Sequence, residues 1–387
     1  MKKKRALRVD FLYLTWIFII AVLSFFSVQQ VRRLVGVLPK ENFRQKVTGS
    51  ITRQGDWFTR NQTPAGDFVY ERFAATGEIK EGNSIVRQAG ALYGLAQLYA
   101  YTKDPETKTT LEKGFDYFRG LTATPSASAN VITYDGQTLT NTTALLVLGL
   151  VEYAEADPQN KTTENLEYLV RLSNYLVSTQ TATGAYINEY VPKPAESDYN
   201  NGETMYALIR SYNVTQKQEY LSSVKRMASY AMEYYGPQGF NSSFFSWGMA
   251  GFSYLYAADP DEKYWEFLRQ YADKYMANRG TAYEQFLDHA SDTAITPGAS
   301  VFLEGVNHIA WVAKDKDPAL YRLLKRHVER VLDFLLTYEL DGPYSTYASG
   351  KDTVRGAICS QKTCETTRID FLQHNISAIL LYFRFLT

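Results

Sequence analysis

The chain has 387 residues and a mass of 44.0 kDa, with 45% hydrophobic residues, 21% charged residues and 12 prolines. That is the profile of a globular protein that buries one large core, not of a disordered, collagenous or multi-span membrane chain. Lys plus Arg and Asp plus Glu balance at 41 each, so no overall positive field holds nucleic acid. Aromatic residues reach 14%, 30 of them Tyr, a level that suits sugar-facing clefts and bulky helix packing alike.

At the amino terminus Lys2, Lys3, Lys4, Arg5 and Arg8 precede Phe11 to Val28, eighteen residues without a charge, long enough to cross hydrocarbon as a helix. Tyr13 and Trp16 suit an interfacial belt. Residues 1–33 therefore read as a basic cytoplasmic tail and a single-pass signal anchor; a cleaved signal is the alternative, but no small-x-small site follows clearly. The expected domain, residues 34–387, then lies outside the cytoplasm, in a periplasm, at a cell surface or in a lumen. It carries 34 basic and 40 acidic residues, a formal charge of −6, so an anionic glycan needs a local basic patch.

Beyond the anchor a two-helix unit recurs. Six segments are rich in Gly, Ala and Leu on all sides: Ile85 to Tyr101, Asn141 to Ala154, Asn201 to Tyr212, Trp247 to Tyr256, Leu303 to Ala313 and Asp370 to Leu386. They predict enclosed helices. Asp104-Pro105, Asp157-Pro158, Asp259-Pro260 and Asp317-Pro318 follow four of them, and Pro suits the first turn of a next helix. The segments after these turns show one apolar stripe, as in Leu324, Val328, Val331 and Leu335, and predict outer helices. Glu41 to Phe58 supplies the sixth outer helix. Six inner and six outer helices make an all-α (α/α)6 toroid; an open helical array would need polar capping repeats at its ends. Loops with glycine and an aromatic precede the inner helices, among them Gly66 to Tyr70 and Gly184-Ala185-Tyr186, and Val131 to Leu139 predicts a hairpin around Asp135-Gly136. These loops share one face, where a ligand cleft belongs.

Residues at the starts of the inner helices point into the mouth of such a ring. They are Arg87, Gln88, Asn141, Asn201, Glu203, Trp247, Glu304, His308, Arg368, Asp370 and His374. Singly, the acids and asparagines also read as dipole partners or caps, and His308 as a hydrogen-bonded core histidine. Together they form a polar funnel, with Tyr70 and Tyr206 as further sugar contacts. His289 with Asp288 and Asp292 has no metal-site spacing. No phosphate loop, GxSxG elbow or dinucleotide fingerprint occurs, so neither a cofactor nor a metal is expected. Cys359 and Cys364 suit a small disulfide loop in an oxidising compartment. Asn61, Asn141, Asn160, Asn213, Asn241 and Asn375 open N-x-S/T sequons.

Asn188-Glu189-Tyr190-Val191-Pro192 with Asn201 to Ile209, Trp247-Gly248 ahead of Asp259-Pro260, and Arg368-Ile369-Asp370-Phe371 with His374 resemble the carboxy-terminal toroid of D-glucuronyl C5-epimerases. The resemblance implies removal and return of the C5 proton of a uronic acid within a polysaccharide. Glu189 and Tyr190 would be the acid/base pair, and Arg87, Arg355 or Arg368 would neutralise the substrate carboxylate.

Three functions follow as expectations. The first is a membrane-anchored polysaccharide-modifying enzyme using epimerase-like or lyase-like proton abstraction, with Glu189, Tyr190, Glu203, Glu304 and Asp370 as catalytic candidates. The second is a glycoside hydrolase with paired carboxylates drawn from Glu189, Glu203, Asp288 and Glu304. The third is a non-catalytic glycan-binding or assembly scaffold, favoured by Phe371 where the resembled family has a tyrosine.

Overall fold

A computed structural model describes residues 40–188, 195–280 and 298–387. Glu189, Tyr190, Asp288, His289, Asp292 and the expected anchor, residues 1–33, lie outside the described residues. Among those described, no helix is long and apolar enough to cross a membrane. The chain divides into two compact units, Met1–Thr48 and Gly49–Thr387. The described part of the first consists of the opening turns of helix α1, Lys40–Asn61.

The second unit continues with α2 (Ile85–Thr102), α3 (Pro105–Gly120), α4 (Thr140–Ala156), α5 (Thr163–Ser178), α6 (Asp198–Thr215) and α7 (Gln218–Tyr234). After these come α8 (Ser242–Ala258), α9 (Glu262–Tyr275), α10 (Ala299–Lys316), α11 (Pro318–Leu335) and α12 (Ile369–Phe385). Even-numbered helices pack in the closed order α2-α4-α6-α8-α10-α12 and back to α2, so the expected toroid is what the chain forms. The inner helices are buried nearly all round, as α2 is from Gln88 to Tyr99, because each has an inner neighbour on both flanks and an outer helix behind it. The outer helices bury a single stripe; in α11 it is Leu324, Val328, Val331 and Leu335.

The turns work largely as read. Asp104 accepts from Thr107 N at 2.7 Å, and Asp317 from Ala319 N and Leu320 N, with Pro at the first helical position in both. At Asp259-Pro260 the cap is instead Asp261, and after Asp157 a short 3-10 turn, Pro158–Asn160, intervenes before Thr162 caps α5. The hairpin is present. The strands Ala129–Tyr134 and Gln137–Thr138 flank Asp135 and Gly136, both with positive φ, as a two-residue primed turn requires.

A second small sheet leads into the last inner helix. The strands Glu71–Phe73 and Thr366–Arg368 pair antiparallel, with Glu71 opposite Arg368. Cys359 bridges to Thr367 on the other side of the strand Thr366–Arg368, and the Cys359–Cys364 disulfide closes the loop just before that strand. Of the sequon asparagines, Asn61, Asn160 and Asn375 are buried, Asn141 and Asn241 sit half-buried at helix starts, and Asn213 is exposed.

Candidate functional site

The inner helices stack their axis-facing residues in layers. Glu203, Trp247, Glu304 and His374 each fall at the sixth position of α6, α8, α10 and α12. One turn deeper lie Tyr93, Tyr206 and His308, and a turn below those Gln97, Glu152, Arg210, Tyr254 and Trp311. Steps of three or four residues keep these on one face of each helix.

The middle layer is a plug. Tyr206 is fully buried and contacts Trp247, Tyr254 and His308 ring to ring, while its hydroxyl meets that of Tyr93 at 3.2 Å. Gln97 donates to Tyr93 at 2.8 Å. The His308 Nδ1–H donates to the Glu304 carbonyl at 2.7 Å, and burial lowers its pKa to about 3. It is a neutral core histidine. The expectation that Tyr206 and His308 contact a substrate gives way to this geometry, which seals both beneath Trp247.

Below the plug, Glu152 on α4 accepts from Arg210 at 2.7 Å and from Arg384 at 3.0 and 2.7 Å. Burial alone would raise its pKa, but the guanidiniums of Arg384 and Arg210 outweigh it and hold the carboxyl far below the usual range. A surface pocket with Lys103, Glu155, Tyr254 and Arg384 has this cluster for its floor.

The upper layer differs. The His374 Nδ1–H donates to Glu304 Oε2 at 3.0 Å, and Gln373 Nε2 approaches Glu304 Oε1 at 3.4 Å. Both carboxylate oxygens are thus engaged, leaving His374 Nε2, across the ring, as the proton acceptor. Trp247 lies 6.1 Å from the His374 ring and packs on Tyr93 and Tyr206, which makes it the floor. Glu203 is only 5% exposed, its Oε2 is buried without a partner, and burial raises its pKa to about 8.

One turn nearer the mouth is a basic cluster. Asp370 accepts a bidentate pair from Arg368 at 2.6 and 2.8 Å and lies 2.9 Å from Arg87 Nε. Arg87 also donates to the Tyr70 hydroxyl at 2.6 Å. Two guanidiniums on one carboxylate leave a net positive charge with further N–H donors. The cluster assigns Asp370 to organising arginines, which corrects its reading as a proton carrier, since the guanidiniums of Arg368 and Arg87 take up its oxygens.

Two other expectations are corrected. Gln88, fourth in α2, accepts from Phe68 N at 2.9 Å and donates to Phe68 O at 2.8 Å; Asn201, fourth in α6, accepts from Tyr186 N at 2.7 Å and donates to the Tyr235 hydroxyl. Both clamp the preceding loop instead of lining the pore. The loops match in detail: Gly66 and Gly184 share a φ of +104 that favours glycine, and Gln62 and Gln180 each donate to that glycine's carbonyl at 2.9 Å. Arg355 pairs locally with Asp352 at 2.8 Å, and Asn141 accepts from Thr142 N at its helix start. The sequence reading missed Gln373, Tyr93 and the Glu152 cluster, because their place in the pore follows from where each inner helix starts.

No protein-family model matches the chain, and no curated protein matches it. Solved structures do. Cellobiose 2-epimerase from Bacillus thermoamylovorans is 12% identical with a TM-score of 0.65, over 89% of this chain and 99% of that one. A D-mannose isomerase is 15% identical with a TM-score of 0.64, over 89% and 98%. A glycoside hydrolase family 76 α-mannanase from Bacteroides thetaiotaomicron is 12% identical with a TM-score of 0.61, over 88% and 97%. At these identities the likeness establishes the (α/α) toroid as the fold.

Proposed function

We propose that the chain is a carbohydrate-modifying enzyme that moves a proton on a sugar bound at the upper layer of the ring. The observation that carries this reading is the His374–Glu304 pair. An imidazole oriented by a carboxylate, above an aromatic floor, is a general base for an acidic C–H bond. Arg87 and Arg368 supply the second requirement. Removing a proton next to a carboxylate builds negative charge on that group, and the spare N–H donors of two guanidiniums neutralise it. A uronic acid residue of a polysaccharide fits this cluster, and Tyr70 supports it through Arg87. Several toroids of this fold are named as sugar epimerases, isomerases and glycoside hydrolases, which agrees with carbohydrate chemistry.

Glu189 and Tyr190 stay in the proposal as acid/base candidates, in the stretch of sequence before α6. Hydrolysis is the second reading, because Glu203 and Glu304 share a layer. It is the weaker one: Glu304 has both oxygens occupied, whereas a nucleophile or water-activating base needs one directed at the sugar. We further read residues 1–33 as a membrane anchor holding the toroid outside the cytoplasm, a placement in keeping with the disulfide.

The test is incubation of the full chain in deuterated water with cellobiose, D-mannose and oligosaccharides of glucuronic and mannuronic acid, followed by proton NMR. Deuterium on a sugar carbon is the expected result. New reducing ends without deuterium would replace proton transfer by hydrolysis.

A further inference from the structure

In the closed order of inner helices α6 and α12 are three places apart, so they face each other across the axis. Glu203 and His374 occupy the same sixth position on those two helices. In a six-membered ring packed at roughly 8–10 Å between neighbours, opposite axes lie roughly 16–20 Å apart. Side chains reaching inward from both sides narrow that span. Trp247, on the helix between Glu203 and the Glu304 helix, forms its floor.

We propose that Glu203 is a second catalytic residue, the acid that protonates the sugar carbon from the face opposite His374, so that the reaction inverts that centre. This rests on the proton-transfer reading given above and specifies its stereochemistry. His374 Nε2 takes the proton as the C–H bond breaks, and the electron pair passes into the adjacent carbonyl or carboxylate group as an enolate. The Glu203 O–H bond then breaks, its proton forms the new C–H bond on the other face, and the Glu203 carboxylate is left behind. Solvent removes the proton from His374 and restores the one on Glu203.

The site suits that assignment in three respects. Glu203 has an orphaned, buried oxygen in a layer whose other acid is fully engaged. Burial keeps it protonated up to about pH 8, so at neutral pH it arrives as a donor whose acidity matches the working range. No described basic group pairs with it. Arg87 and Arg368 gather on Asp370 one turn nearer the mouth, and Arg210 lies two turns deeper, bound to Glu152.

The experiment pairs two readouts on the full chain and Glu203→Gln. The first is the infrared carbonyl band of an un-ionised carboxylic acid, taken as the difference between wild type and variant. It is expected at pH 6 and lost as pH rises through about 8. The second uses the same sugars in deuterated water. Glu203→Gln is expected to keep deuterium wash-in with retained configuration while the inverted product falls about 100-fold or more, and His374→Gln to lose both. A missing band at neutral pH, or wild-type inversion by Glu203→Gln, overturns the assignment. Wild-type protein that exchanges no proton on any of these sugars overturns the proton-transfer reading itself and the assignment with it, whereas exchange with an unimpaired Glu203→Gln overturns the assignment alone.

Discussion

Glu152 and Glu203 sit on neighbouring inner helices and are buried in the same pore, yet their surroundings push them in opposite directions. At the closed end Arg210 and Arg384 surround Glu152 and hold it ionised, while at the mouth Glu203 has no counter-charge and burial holds it neutral. Burial therefore does not by itself mark a residue as structural or functional. A compensated buried charge ties three helices together. An uncompensated one costs stability, and such a cost persists where chemistry needs the group.

The largest effect should come from breaking the compensated end. Glu152→Ala leaves Arg210 with Glu155 alone and strips Arg384 of its carboxylate, and is expected to destabilise the fold by about 3 kcal/mol in urea titrations. A loss under about 1 kcal/mol would mean that Arg210 and Arg384 reach solvent easily, and the contrast between the two ends would collapse.

Glu203→Gln should act with the opposite sign. Because its folded pKa of about 8 lies above the ordinary carboxyl value of 4.5, wild-type stability falls as pH rises from about 4.5 to 8, by about 3 kcal/mol at pH 7. The variant does not titrate there and should gain on wild type across that window; parallel stability curves would contradict the burial argument. His308 gives the mirror case. Its pKa is lowered from 6.5 to about 3, so its stability cost appears as pH falls below 6.5 and grows towards 3, and His308→Gln should flatten the acid side.

Cys359→Ser with Cys364→Ser removes a short loop closure, for which chain entropy gives about 2 kcal/mol. The disulfide stands beside the strand that carries Arg368, so this variant should raise KM for uronate substrates more than it lowers kcat. Arg368→Lys is the mildest change. It keeps the charge, loses the bidentate fork, and should raise KM about tenfold for uronates and leave neutral sugars unaffected.

The periodic part of this architecture was legible in the sequence. Apolar composition separated inner from outer helices, and Asp-Pro marked most of the turns between them. The phase of each inner helix was not legible. The sequence reading started these helices at Asn201, Trp247 and Leu303, but they begin at Asp198, Ser242 and Ala299, because polar first turns such as Asp198-Tyr199-Asn200 look like loop. An error of three to five residues turns the wheel by a large part of a circle or more. It put Asn201, which clamps a loop, beside Glu203, which faces the axis, as though they were equivalent. Tyr206 and His308 were misplaced for a related reason: depth along the pore depends on where the ring is plugged, and that is decided by aromatic contacts among four helices far apart in the chain.

Hydrogen exchange at the sugar carbon, compared among the full chain, His374→Gln and Glu304→Gln in deuterated water, tests the central claim most directly. Exchange by wild type, its abolition in His374→Gln and a loss of about 100-fold in Glu304→Gln with the fold intact are the predicted results. Wild-type exchange that persists in His374→Gln would contradict the account and move the chemistry away from this layer.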